Sequence, residues 1–214
     1  MILLAAFEPF GGAAVNASLL VARRLIEDDP TLGLIALPVA RGQAERVLLG
    51  TLAARARAET PPLTVVLALG EARGATDVRI EKVAVNWDDF RIPDNAGSQP
   101  RDQPIRADGP AAYFATLPVS AIAARLAGKT PVPVVVSLSA GSFVCNHLAY
   151  ATLDALATNA LDLSVPPPVF GFIHVPAARP EDVGNGVPSL DDIAASLRAV
   201  IDAVQAMPFV AADR

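Results

Sequence analysis

The sequence predicts an α/β fold: a three-layer sandwich whose mostly parallel, twisted sheet carries helices on both faces. Two observations predict it. Short apolar runs of strand length alternate with longer amphipathic runs along the chain, the pattern of β-α-β units. The run Leu63–Leu69 is almost continuously apolar, as in a parallel strand buried on both faces. Length adds a bound, because 214 residues correspond to one domain, or a domain with an insertion, at about 150 residues per domain. Residues 1–214 are therefore read as one domain. A chain of this size buries roughly 70% of its unfolded surface and folds without a disulfide or metal staple.

The elements follow in order. Ile2–Ala6 is a short buried strand, stopped by the turn containing Pro9, Gly11 and Gly12. Asn16 and Ser18 suit the cap of a helix that runs to Asp28. Leu32–Val39 reads as a second strand. Gln43–Ala58 reads as a helix with Val47, Leu48 and Leu52 on one face. Leu63–Leu69, ended by Gly70, is the third strand. Val78–Asn86 alternates Val78, Ile80, Val83 and Val85 with charged residues and reads as a strand or hairpin arm. Asp88–Pro110 is polar and lacks periodicity; at over 20 residues such a loop is either functional or disordered. Pro118 opens a helix ending near Gly128. Val132–Ser137 is a strand, Ser142–Ala157 a helix, Val169–His174 a strand and Ser189–Ala206 a final helix, with Asp192 three residues after Ser189 in a capping arrangement.

Composition excludes several function classes. Lys and Arg total 17 against 22 Asp and Glu, a net charge of −5. That balance opposes a nucleic-acid partner held through phosphates. No apolar run reaches the ~18 residues of a membrane span. Met1–Ala6 lacks the basic start of a signal peptide. The one cysteine and two histidines exclude an internal disulfide and leave too few ligands for a Cys/His zinc site. A cytoplasmic protein without metal or cofactor is expected.

The chemistry concentrates in Ser137-Leu-Ser-Ala-Gly-Ser-Phe-Val-Cys145-Asn146. A strand ends, a small-residue turn follows, and Cys145 falls in or near the first turn of a helix. The unpaired amides and dipole at a helix start favour an anion. A thiol so placed ionises more readily than a free one, and the same amides suit an oxyanion. The position equally suits a small buried hydrophobe. A nucleophilic thiol calls for a histidine. His147 lies two residues on, about 200° around the helix at 100° per residue, and so points away. His174 closes a strand, where α/β sites form. A carboxylate should orient it, and spacing leaves both Glu81 and Asp94 open.

Several segments resemble one family. Phe7-Glu-Pro-Phe-Gly-Gly12, Glu81-Lys-Val-Ala-Val-Asn86, Arg91-Ile-Pro-Asp-Asn95, Asp108-Gly-Pro-Ala-Ala-Tyr-Phe114, Ser139-Ala-Gly-Ser-Phe-Val-Cys-Asn-His147, Phe172-Ile-His-Val-Pro176 and Ser189-Leu-Asp-Asp192 are similar to those of pyroglutamyl peptidase type I. They occur in order over nearly the whole chain. The family comprises cytosolic cysteine peptidases that remove an N-terminal pyroglutamyl residue. The resemblance implies Cys145 as nucleophile, His174 as base and Glu81 as third triad member. It implies Phe7, Phe10, Ile92, Phe143 and Val144 as walls of the pyroglutamyl pocket, Arg91 near the attacked carbonyl, and Glu71 beside the substrate. The implied partners are N-terminally pyroglutamylated peptides and further copies of the chain in a dimer or tetramer.

The chain also departs from the family. Gly70-Glu-Ala-Arg-Gly74 stands where Gly-Gln-Ala-Gly-Gly is usual, Ala6 and Arg79 replace small residues, and Leu138 replaces an asparagine. Glu71 and Arg73 either pair or alter the leaving-group side. The departures keep two alternatives in view: a non-catalytic descendant that binds pyroglutamyl peptides, and a different amide hydrolase on the same scaffold.

Overall fold

Continuous apolar runs become the central strands of a sheet covered on both faces. In a computed structural model of the chain, the described residues are 1–58, 61–163, 165–178 and 186–207. The elements are β1 (Ile2–Phe7), α1 (Ala17–Asp28), β2 (Gly33–Leu37), α2 (Gln43–Arg57), β3 (Val65–Ala72), β4 (Val78–Glu81), β5 (Val83–Val85), β6 (Ala112–Phe114), α3 (Val119–Leu126), β7 (Val134–Ser137), α4 (Val144–Ala157), β8 (Val169–Pro176) and α5 (Leu190–Gln205). Six strands form a sheet in the order β2-β1-β3-β8-β4-β7, and β5 pairs with β6 separately. No helix among the described residues is long and apolar enough to cross a membrane.

Side chains alternate across a strand with period two, and β1 shows both faces in use. Ile2, Leu4 and Ala6 join a core with α1, α3 and α5. Leu3, Ala5 and Phe7 join a second core with α2 and α4. The layers are therefore helices, sheet, helices. On α2 the buried stripe is Ala44, Leu48 and Leu52, whereas Val47 is 39% exposed. Val47 was expected on that stripe, but Ala44 takes its place and rotates the buried face.

The expected parallel pairing holds for β1 with β2 and β3, for β3 with β8 and for β4 with β7. It fails between β4 and β8, which are antiparallel. Only Arg73–Asp77 joins β3 to β4, far short of the dozen residues that a parallel crossover needs. The chain therefore reverses.

The expected strand Val78–Asn86 is also broken. Lys82 donates its N–H to Ser137 (2.7 Å) and accepts from Ala115 N–H (3.0 Å), so the chain passes from one sheet to the other. The alternation slips there: Val78 and Ile80 are even, Val83 and Val85 odd, and a one-residue slip exchanges faces.

The long polar segment is ordered without a helix or strand of its own. Asp88 and Gln103 exchange backbone hydrogen bonds, Phe90 N–H bonds Pro100, and Asn95 N–H bonds Val39. The buried Asp94 carboxylate accepts from the N–H groups of Ala96, Ser98 and Arg41 at 2.7–2.9 Å. This occupation removes Asp94 as a partner for histidine.

Both caps form where the residue types placed them. Asn16 accepts from Ser18 N–H at 3.0 Å, and its amide donates to the Glu8 carbonyl at 3.0 Å, tying the turn after β1 to α1. Ser189 accepts from Asp192 N–H at 3.1 Å. Replacing Asn16 by Ala removes the cap and the tie, so unfolding free energy should fall by about 1–2 kcal/mol in a urea titration. An unchanged midpoint would contradict this account of the cap.

Candidate active site

Alternation decides which side chains meet. Phe170 and Phe172 of β8 and Val66 and Ala68 of β3 face the α2/α4 core, so His174 and Gly70, in phase with them, face the same way. On β4, Ile80 faces the opposite core, which turns Glu81 toward this one. Glu81 is in register with Phe172, and Arg79 with His174. Glu81 therefore reaches His174 diagonally, and Nδ1 of His174 lies 2.8 Å from Glu81 Oε1. Glu81 is 3% exposed, so this charged residue points inward on a strand whose alternation admits it.

The third element comes from α4. Phe143 is its N-cap and Cys145 its second residue. The turn before it includes Gly141 at φ +81°, a conformation that costs a side-chain-bearing residue more than glycine. His147 N–H already bonds Phe143, while helix geometry leaves the amides just before it without intrahelical partners. Asn146, fully buried, donates to the carbonyls of Val85 and Trp87 and accepts from Val85 N–H at 2.9–3.0 Å. It locks this helical turn to β5.

With Nδ1 engaged by Glu81, Nε2 is the nitrogen of His174 left for the Cys145 thiol, and ring and sulfur come together over Gly70, each 3.1 Å from where its Cβ would stand. Burial alone would lower the imidazole pKa. Hydrogen bonding and charge at Cys145 and Glu81 outweigh it and push the value up to about 9. The imidazole therefore holds its proton at neutral pH. A thiol, an imidazolium and a buried carboxylate at a helix start form an array suited to nucleophilic attack on a carbonyl.

Gly70, opposite His174 in register, makes room for this meeting. A Cβ there would lie 3.0 Å from Phe172 Cζ and 3.1 Å from both Cys145 Sγ and His174 Cδ2. The motif Gly70-Glu-Ala-Arg-Gly74 marked the segment but not this reason for its first residue. Gly70→Ala should cut turnover at least 10-fold by displacing thiol or ring, while the melting temperature moves by only a few degrees. Wild-type turnover in that variant would contradict it.

Aromatic rings cluster around Phe143, the N-cap of α4. Phe10 lies 5.1 Å from Phe143 between ring centroids, and Phe143 lies 4.5 Å from Phe90. The fully buried Phe90 was not singled out in the sequence; its position among the Asp88–Pro110 polar residues was the available signal. Phe7 is buried against Phe172 (6.4 Å), which in turn packs on the His174 ring (4.9 Å). Val144 is buried beneath. Arg91 and Ile92 are exposed, following Phe90. The Glu71 side chain accepts from Ala17 N–H at 2.8 Å and lies 3.6 Å from Arg73 Nε, so the pairing of Glu71 with Arg73 occurs.

His147 belongs to a different cluster. Its Nδ1 lies 2.9 Å from Asp88 Oδ2 and its Nε2 3.2 Å from Glu45 Oε1, while Arg41 Nε donates to Asp88 at 2.7 Å. Burial would lower the His147 pKa, but the two carboxylates raise it to about 9. Both histidines thus have folded values above the unfolded value near 6.5. The stability they contribute is full below pH 6.5 and lost as pH rises through 9. Urea titrations from pH 6 to 10 should show that decline, and a flat profile would contradict the two charged clusters.

Comparisons with known proteins identify the family and the fold. Residues 1–207 match the family model described as pyroglutamyl peptidase. A pyrrolidone-carboxylate peptidase from Streptomyces coelicolor is 44% identical over 214 aligned residues, covering 97% of this chain and 93% of the relative. The crystal structure of pyroglutamyl peptidase I from Bacillus amyloliquefaciens superposes with a TM-score of 0.82 at 32% identity, covering 96% of this chain and 97% of that one. A mutant pyrrolidone carboxyl peptidase from Pyrococcus furiosus gives 0.78 at 33% identity, covering 95% and 97%. On the match along the chain, the identity to its relatives and the shared fold, this chain belongs to the pyroglutamyl peptidase family.

Proposed function

We propose that this chain is a cysteine exopeptidase that removes an N-terminal pyroglutamyl residue from peptides, with Cys145 as nucleophile, His174 as acid and base, and Glu81 holding the imidazole. The observation that carries the reading is His174, placed beside Cys145 on one side and 2.8 Å from buried Glu81 on the other. Relatives named for this activity support it.

The steps follow from the proton's position. His174 takes the proton of the Cys145 thiol, and the sulfur attacks as thiolate. A C–S bond forms, and the carbonyl electrons move to oxygen, where the first amides of α4 and the helix dipole stabilise the charge. As the intermediate collapses, the C–N bond breaks and Nε2 gives its proton to the leaving amine. Water then gives a proton to His174 and attacks the thioester. The C–S bond breaks, releasing pyroglutamate and restoring the thiolate–imidazolium pair. Glu81 keeps the same nitrogen facing sulfur throughout.

Phe10 and Phe143, with Phe7, Phe90 and Val144 behind them, form the apolar side for a flat, uncharged lactam. Arg91 and Ile92, exposed on the same segment as Phe90, are available to the peptide. Proline lacks the lactam carbonyl and would leave that carbonyl's hydrogen-bonding partner unpaired, so the site should reject it. We further propose cytoplasmic placement and self-association as a dimer or tetramer. The exposed Phe114 and Leu138, each 68% accessible, are apolar surface suited to a second copy.

Pyroglutamyl-aminomethylcoumarin should be hydrolysed, and prolyl-aminomethylcoumarin should not. Iodoacetamide, Cys145→Ser and His174→Ala should each reduce the rate by about 10³-fold or more. Full activity in Cys145→Ser would overturn the assignment.

A further inference from the structure

The departure at Glu71 and Arg73 builds a bracket over the turn that carries Phe10. Glu71, with 9% of its side chain exposed, anchors one end. Its Oε2 accepts from the N–H of Ala17, the first residue of α1, at 2.8 Å, where the helix dipole favours a carboxylate. Its Oε1 lies 3.6 Å from Arg73 Nε. Arg73 extends the bracket: Nη2 donates to the Phe10 carbonyl at 3.3 Å. The guanidinium passes over Gly11, where a Cβ would come within 3.8 Å of Nη2.

The turn beneath depends on such ties. Gly11 and Gly12 lie consecutively at φ +62° and +78°. Other bonds on it run from Ala13 N–H to the Phe10 carbonyl, from the Asn95 amide to the Pro9 carbonyl and from the Asn16 amide to the Glu8 carbonyl. Phe10 itself packs on Phe143. Fixing the Phe10 carbonyl therefore fixes the ring that faces the lactam.

We infer that Arg73 is a positioning residue for substrate binding: held by Glu71, it clamps the Phe10 turn and presets the aromatic wall, without touching the reacting atoms. The inference rests on the reading of Phe10 and Phe143 as the pyroglutamyl wall. The charge of Arg73 is paired with Glu71 and its hydrogen bond ends on the Phe10 carbonyl, so its loss acts on binding. Arg73 is 55% exposed, so the clamp is weakened by salt.

Kinetics with pyroglutamyl-aminomethylcoumarin test this. Loss of one charge-assisted hydrogen bond predicts a KM about 3- to 10-fold higher in Arg73→Met, with kcat within about 2-fold of wild type. Arg73→Lys, which keeps the charge, should recover part of the loss. Wild-type KM should rise in 1 M NaCl toward that of Arg73→Met, whose KM should be less salt-dependent. Calorimetric binding of pyroglutamyl-alanine amide to Cys145→Ala, with and without Arg73→Met, should show the same weakening. An unchanged KM and Kd, or a fall confined to kcat, would overturn the inference. No wild-type turnover would instead overturn the peptidase reading, while the binding pair still decides the role of Arg73.

Discussion

The 2.8 Å contact between His174 Nδ1 and Glu81 Oε1 is the constraint on which the site depends. A buried carboxylate is costly unless a cation and hydrogen bonds compensate it. Glu81 Oε2 is buried and hydrogen-bonded to nothing among the described residues, so the imidazolium supplies the compensation. Cys145 and the carboxylate together keep the ring charged, and the carboxylate fixes its rotation. The ring in turn presents its other nitrogen to sulfur. A mixed sheet makes this possible: the reversal at Arg73–Asp77 sets β4 antiparallel to β8, and the diagonal Glu81–His174 pair follows from that register.

A second charged cluster supports the first from the other side of α4. Asp88 is fully buried between Arg41 and protonated His147, and Glu45 completes a set of two cations and two carboxylates. These groups join α2, α4 and the long polar segment. Phe90, which packs on Phe143, is carried by that segment. Removing one member would leave the others buried and unbalanced, so His147 serves the frame around the site while His174 faces the thiol.

Much of this was legible in the sequence, for identifiable reasons. The runs at β1, β3 and β8 announce strands covered on both faces, and Asn16 and Ser189 announce their helices because a side-chain acceptor satisfies an amide that the helix cannot. Phe170, Phe172 and His174 share parity, so the strand pattern already places the histidine on the face of the phenylalanines. Helix geometry separates His147 from Cys145. The choice between Glu81 and Asp94 was not legible from spacing, because it depends on strand direction and on the backbone amides that occupy Asp94. The break at Lys82 left a trace in the slipped alternation. Gly70 and Asn146 act through close approach and cross-element hydrogen bonds, which no local pattern encodes.

The account turns on whether Glu81 makes His174 a charged partner for Cys145. The most direct measurement is a ¹⁵N NMR titration of the His174 ring in the intact enzyme and in Glu81→Gln, with the His147 signal as internal reference. The account predicts a wild-type pKa near 9, a clear fall for His174 in Glu81→Gln, and an unmoved His147. A His174 ring that titrates near 6.5 in the wild type, or identically in both proteins, would contradict it.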